Sequence, residues 1–381
     1  MPKVTVAMAS YNHESFVGEA IESVLSQNDC DFELSIVDDG STDSTLAQIQ
    51  KFRDPRLKYI GLKKNEGACV ALRYAIESGT GEYIAILNSD DAFLPDKLSR
   101  QVAFLDAHPE VHALFGYPVF VNAKGDRLTT EEHFYKDLFY QPNRSRYEWL
   151  RYFFYRTNAL CHPTLMIRRI CYQDLGYYDP RMAQLPDLDF WVRLCLKYNI
   201  HILQEELLRF RILPNEANIS ANTLENDQRA GWELTYILPH FLKLSLKEYI
   251  QVFPEDQELW EKFKENEASS IIPYALAQKA LTLAEGYLHP CPRVYQASYR
   301  FFGLQTLFKL FEDNLFQTCI APRLGTNLSQ LTRIAKQYPI FYRDPSPLQP
   351  LFTRAWALIK EAGHKIKHKW VKKAYAKLRG R

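Results

Sequence analysis

Three short polar segments carry the side chains best suited to chemistry: Ser10-Tyr11-Asn12-His13, Asp38-Asp39-Gly40-Ser41 and Asn88-Ser89-Asp90-Asp91. Each closes a short apolar, strand-like run. One such segment would be ordinary turn chemistry, whereas three at equivalent strand ends point to a ligand site. The third is the sharpest. Two adjacent carboxylates, Asp90 and Asp91, with the amide of Asn88 two residues earlier, place hard oxygen ligands at one tight turn. Such a set suits Mg²⁺ or Mn²⁺ held alongside substrate phosphate oxygens. The competing reading is a solvated acidic turn that caps the helix after Pro95. Further along, Phe190, Trp191 and Leu194 mark the buried face of a helix and leave Asp187 at its start, a position that suits an N-cap for residues 188–198.

The elements that must position these groups alternate. Residues 3–10, 32–37, 57–61, 83–87 and 111–117 read as strands, the first two and the fourth running straight into the polar segments. Between them, Phe16, Val17, Ala20, Ile21, Val24 and Leu25 form one apolar stripe, and Leu46, Ile49 and Phe52 a second, with Ser41 or Thr42 placed to cap it. Ala68, Leu72, Ala75 and Ile76 form a third stripe in a helix over 65–78 ended by Gly79, and Leu98, Val102 and Leu105 a fourth. This βαβ rhythm predicts an α/β, Rossmann-like fold with a mainly parallel sheet flanked by helices. From about residue 222 strand signals vanish, and segments near 228–250, 255–287, 294–318, 328–337 and 352–378 read as helices. The expected organisation is a domain over 1–221, divided at 110/111, followed by a helical C-terminal region over 222–381.

Length and composition set outer bounds. A chain of 381 residues with 46% hydrophobic and 24% charged residues is long enough for two structural units with ordinary globular cores. A formal net charge of +2 provides no global field that would select nucleic acid. The seven cysteines, at 30, 69, 161, 171, 195, 291 and 319, are scattered without zinc-site or redox spacing, which fits reduced thiols and a cytoplasmic setting. The N-terminus enters a strand without a signal-like apolar core, and no apolar run of about 18 residues supports a spanning helix. The last stretch, 360–381, interleaves Lys365, Lys367, Lys369, Lys372, Lys373 and Lys377 with Trp370, Val371, Tyr375 and Leu378. A helix of that pattern is basic and partly amphipathic, so peripheral contact with an anionic membrane surface stands beside a plain solvated helix as its reading.

The motif stretches VTVAMASYNHESFVGEAIESVLSQ, FELSIVDDGSTDST and NEGACVALRYAIESGTGEYIAILNSDDAFLPDKL resemble the donor-binding half of family 2 glycosyltransferases of GT-A fold. The N-terminal part is similar to the bacterial spore-coat polysaccharide type. The resemblance implies a nucleotide diphosphate sugar as donor, UDP above others, and a glycan or lipid-linked glycan as acceptor. It places such an enzyme in polysaccharide synthesis for a cell envelope, and the basic tail adds the expectation of a cytoplasmic protein peripheral at the inner face of a membrane. It casts Asp39 as the acceptor of a uracil N–H, Ala9 and Tyr11 as neighbours of the base, and Arg73 as a basic residue near the nucleotide. Asn88 and Ser89 belong to its nucleotide-sugar loop, and Asp90, with Asp91, to its Mn²⁺ or Mg²⁺ site. Asn88 stands where the family's first aspartate is common.

On the acceptor side, CHPTLMIR and GYYD match the family, with His162 near phosphate or acceptor. Asp187 matches the general base of an inverting transfer, although Pro186 replaces the acidic residue commonly before it. Arg211 matches a residue near the phosphates, and Leu213 stands where many relatives carry histidine. A non-catalytic nucleotide- or glycan-binding protein on the same scaffold is the competing reading, favoured by Asn88 and Leu213.

Overall fold

The computed structural model describes residues 1–133, 135, 137–213, 223–263, 265–286 and 293–337. The expected 221/222 boundary, Cys291, the expected 352–378 helix and the basic tail 360–381 lie outside the described residues.

An eight-stranded sheet organises the first half. β1 (Val4–Ser10) lies between β2 (Phe32–Asp38) and β4 (Tyr83–Asn88), with β3 (Leu57–Gly61) outside β2, and all of these pair in parallel. The chain thus steps outward from β1 to β3 and then returns to β4 on the opposite side of β1. That reversal opens a crevice at the carboxyl ends of β1 and β4, where two of the polar segments begin.

Beyond β4 the sheet departs from a parallel design. β7 (Met166–Arg168) runs antiparallel to both β4 and β6 (Val111–Val121); β8 (Asn199–Arg211) is parallel to β6, and the two-residue β5 (Ala92–Phe93) is antiparallel to β8. These strands leave weak traces in sequence. β7 and β5 are too short to show a period, and β8 passes through Gln204-Glu205-Glu206 with bulges in its register against β6.

The faces of the sheet carry separate cores. Val4, Val6 and Met8 pack with Val17, Ile21 and Val24 of α1 (Val17–Leu25) and with Leu98 and Leu105, which lie on the helix that follows β5. On the other face, Ala7, Ile84 and Ile86 meet Ala71, Leu72, Ala75 and Ile76. The short α2 (Thr45–Ile49) begins later than expected, because Ser41 and Thr42 are drawn into loop contacts and the Asp43 carboxylate receives the Thr45 N–H instead. Next come α3 (Ala68–Glu77), α4 (Lys97–Ala107), α5 (Arg146–Tyr155), α6 (Arg169–Leu175) and α7 (Pro186–Cys195). A capping box at Ser145 and Glu148 starts α5.

The expected helical region is present as α8 (Leu224–Ile237), α9 (Leu246–Val252), α10 (Gln257–Trp260), α11 (Ala268–Ala284), α12 (Arg293–Leu310) and α13 (Leu328–Gln337). α11 is apolar nearly all round and sits at its centre, flanked by α12, which also touches α8. The core on the α3 face runs without a break through α5 and α7 into these helices. Among the described residues no helix is long and apolar enough to cross a membrane.

Candidate active site

The first two polar segments are laced together. Asn12, held at φ 53°, accepts the Thr42 N–H on its side-chain oxygen (2.9 Å), and its own N–H donates to Ser41 Oγ (2.9 Å). Glu14 accepts the Ser44 N–H (2.8 Å), and the His13 N–H donates to Thr45 Oγ1 (2.8 Å). The third segment joins through His13, whose Nδ1 lies 2.8 Å from Ser89 Oγ. All three loops therefore meet at one edge.

Asp39 is buried, and its two oxygens accept the N–H groups of Glu66 (2.7 Å) and Gly67 (2.9 Å), which fixes the entry to α3 beside the second loop. The neighbouring Gly40 has φ +70°, and a Cβ there would meet the Lys64 carbonyl carbon at 2.5 Å, so this approach of two backbones requires glycine. Ser10 Oγ is buried without a hydrogen-bond partner at the end of β1.

The two carboxylates of the acidic turn divide the work that the sequence assigns to both. Asp91 is turned inward, 2% exposed, and accepts from Asn88 Nδ2 (2.9 Å) and the Arg211 N–H (2.9 Å), bonds that brace the turn. Burial, then the adjacent Asp90, raises its carboxyl well above the usual range. Burial raises Asp90 too, opposed by the nearby His13 ring and then by a bond from its own backbone N–H.

Arg211 also departs from expectation. It is buried beneath the turn, donating to the carbonyls of Asp90 (2.9 Å), Asn122 (3.1 Å) and Ala123 (3.1 Å) and pairing with Glu19 (2.5 Å). These bonds make it a strut between β8 and the turn, not a group facing phosphates. Among the described residues no three His, Cys, Asp or Glu side chains cluster as a closed metal site. The donor set, one available carboxylate at a sheet edge, fits instead a cation whose remaining ligands come from a diphosphate and water.

The Asp187 side is assembled from distant parts of the chain. One carboxylate oxygen accepts the Leu188 N–H (2.8 Å), the other accepts from Asn158 Nδ2 (2.5 Å), and Asp187 stands in the first turn of α7 rather than before it. Burial pushes its carboxyl up to about 7. The buried Cys161 thiol is raised by burial and then by the charges of Asp91 and Asp187. Cys69 on α3 is pushed up to about 12 by burial and by Asp187 in turn, and its Sγ lies 3.7 Å from the Met182 carbonyl oxygen. Asp187 thus sits between the start of α3 and the segment after α5.

The other candidates are scattered in role. His162 bonds through Nε2 to the Tyr178 hydroxyl (2.8 Å), which bonds in turn to Tyr172, and burial lowers the imidazole to about 4, so it is a neutral member of an aromatic cluster that includes Trp191. Arg73 is exposed, pairs with Glu77 (2.8 Å) and lies over the Tyr177 ring. Tyr11 is exposed at the mouth of the first loop, Ala9 is half-buried in β1, and Ser89 is buried against His13. Asp189, two residues beyond Asp187, is a buried structural link between Arg193 and His240 (2.8 Å each).

Two residues near Asp187 escape sequence reasoning. Asn158 carries no pattern of its own. Glu233 lies with Asn226 and Arg229 on a polar i, i+3, i+7 stripe of α8, which by itself does not distinguish a buried anchor from a solvated face.

The family model described as Glycosyl transferase family 2 matches residues 5–175. A glycosyltransferase of Methanocaldococcus jannaschii, named as uncharacterised, is 30% identical over 222 residues, spanning 57% of this chain and 73% of its own. The Bacillus subtilis protein named glycosyltransferase EpsE is 31% identical over 260 residues (66% and 87%), and that named teichuronic acid biosynthesis glycosyltransferase TuaG is 30% identical over 225 (58% and 82%). Among solved structures, residues 1–349 of S. aureus TarS superpose with a TM-score of 0.53 at 18% identity, over 81% of this chain and 91% of that one. The same protein is known in complex with UDP-GlcNAc (TM-score 0.52).

Proposed function

Since this chain belongs to glycosyl transferase family 2, with the GT-A fold, we propose that it transfers a sugar with inversion from a nucleotide diphosphate donor, a UDP-sugar, to an acceptor hydroxyl. The observation that carries this reading is the half-buried Asp187 carboxylate, oriented on both oxygens and titrating near neutrality (about 7). A group so poised accepts a proton efficiently at physiological pH. The relatives' names, which include teichuronic acid and succinoglycan biosynthesis, support a glycan or lipid-linked glycan as acceptor.

In this mechanism the loops after β1 and β2 take the nucleoside, with Tyr11 against the base and the buried Asp39 beside it. Each Asp39 oxygen spends one lone pair on the backbone just ahead of α3 and keeps another for an imide N–H. Asp90 would hold a divalent ion, Mn²⁺ or Mg²⁺, which would supply positive charge to offset that of the diphosphate. Asn88, Asp91 and Arg211 keep that turn rigid. Asp187 removes the acceptor proton as the hydroxyl attacks the anomeric carbon from the face opposite the diphosphate. Burial of the surrounding thiols and aromatic rings keeps competing water away.

The test is a panel of UDP-glucose, UDP-galactose, UDP-GlcNAc and GDP-mannose with Mn²⁺, reading free nucleotide and transferred sugar. Asp187→Asn should lower turnover by about 10²–10⁴-fold, the range of general base catalysis, with UDP affinity unchanged. Loss of UDP affinity in that variant would give Asp187 a structural role instead. The basic tail supports placement at the cytoplasmic face of an anionic membrane; removal of 360–381 should reduce pelleting with phosphatidylserine vesicles, and equal pelleting would remove that placement.

A further inference from the structure

The family match ends at residue 175, yet the segment that carries Asp187 is fastened by a helix well beyond it. Residues 183–185 present three successive backbone N–H groups just ahead of Pro186, which has none. Glu233 accepts all three: Ala183 on Oε1 (2.7 Å), and Gln184 (2.9 Å) and Leu185 (2.7 Å) on Oε2. Its side chain is 2% exposed, so the carboxylate is spent on these bonds rather than on solvent. A carboxylate with three N–H donors is a strong anchor, because each bond is charge-assisted and forms away from water.

The rest of the α8 stripe reads the same segment. Arg229 Nε donates to Glu233 Oε1 (2.8 Å) and its Nη2 to the Arg181 carbonyl (3.2 Å), while Asn226 Oδ1 accepts from Gln184 Nε2 (3.1 Å). In the first turn of α7, Asp189 is held by His240, a residue just beyond the end of α8. The start of α7 is therefore pinned on both sides of Asp187 by residues from 226 to 240.

We propose that Glu233 is a positioning residue for glycosyl transfer: from the helical region it clamps the backbone of Ala183, Gln184 and Leu185, and so sets where the Asp187 carboxylate meets the acceptor hydroxyl. This rests on the reading of Asp187 as base. It gives the helices after residue 222 a part in the active site, since Glu233, Arg229 and Asn226 join α8 to the loop entering α7 and Glu233 supplies most of those bonds. A base displaced by about 1 Å loses on the order of 10²-fold in rate.

Charge gives the clamp a signature that simple scaffolding lacks. The titratable groups facing Asp187 are Glu233 from α8, Cys69 from α3, Cys161 after α5 and Tyr178 before α7. Burial raises the two thiols and the phenol, which leaves them neutral; Glu233, paired with Arg229, is the charged neighbour. Removing its negative charge makes Asp187 easier to ionise, and removing Arg229 makes it harder.

The experiment uses the full chain with Mn²⁺ and whichever donor of the panel wild type turns over fastest. Glu233→Gln should lower kcat by about 10–100-fold, leave the donor KM within twofold, and move the acid limb of the kcat profile to lower pH. Arg229→Ala should lower kcat severalfold and move that limb to higher pH. Hydrogen exchange should show fast amides at 183–185 in both, against protection in wild type. Wild-type rates, profile and protection in both variants would overturn the clamp. If Glu233→Gln does not fold, Arg229→Ala decides alone: an upward limb with weakened protection sustains the proposal, and its absence ends it. Asp187→Asn runs in parallel, because full activity there removes the base assignment itself, whereas an inactive Asp187→Asn beside unaffected clamp variants removes only the clamp.

Discussion

The donor edge and the Asp187 side of this cleft are built on opposite plans. At the donor edge, the loops after β1 and β2 hold one another through side-chain-to-backbone bonds and the loop after β4 joins through the His13–Ser89 side-chain bond, and each loop is short and contiguous. Around Asp187, the partners are Asn158, Cys161, Cys69 and Glu233, drawn from segments far apart in the chain. Burial raises carboxyls on both sides, Asp90 and Asp91 at the donor edge and Asp187 opposite, which is pushed up to about 7. A base calls for a proton affinity close to the working pH, and a partly closed environment supplies it.

The sharpest way to break this contrast is to neutralise each side in turn. Asp90→Asn should lower transfer by about 10²–10³-fold, as loss of a transition-state charge contact does, and should remove the Mn²⁺ dependence of UDP binding seen by calorimetry. Mn²⁺-dependent binding that survives in this variant would move the cation elsewhere.

Asn158→Ala acts only on the Asp187 side. Its amide donates to the carboxylate and so favours the charged form. Without it Asp187 holds its proton to higher pH. On the acid side kcat should then fall by about tenfold for every pH unit that the limb moves upward. An acid limb that stays in place would mean Asp187 is not the group that titrates.

Gly40→Ala acts only on the donor edge. With φ +70° and a backbone contact at 2.5 Å, the substitution should cost about 1–3 kcal/mol, read as a lower Tm, and should weaken UDP binding while the acid limb of kcat is unmoved. The smallest effect is expected of Arg73→Ala, whose pair with Glu77 is exposed and screened by solvent. A tenfold loss of UDP affinity there would show that the side chain swings from Glu77 onto the nucleotide.

Local segments are the legible part. The strands and helices from Val4 to Ala107 fall close to their expected places, because apolar periodicity and polar strand ends are short-range signals. β7 and β8 leave no such trace: three residues carry no period, and a bulged strand through Glu205 and Glu206 hides its own. The roles of paired residues are harder still. Asp90 and Asp91 are indistinguishable in sequence, and so are an arginine facing phosphate and one buried as a strut; contacts with Asn88, β8 and Glu19 separate them.

What the sequence alone determined is the α/β order, the polar strand ends that form the donor edge, and membership of a glycosyltransferase family, since each is written in contiguous residues. Only the tertiary structure decided how each carboxylate of the acidic turn is bonded, how the proton affinity of Asp187 is raised, and that Glu233 reaches back to the loop before α7. Those properties depend on burial and on groups separated by dozens of residues. Dielectric environment and long-range contact arise only once the chain has packed.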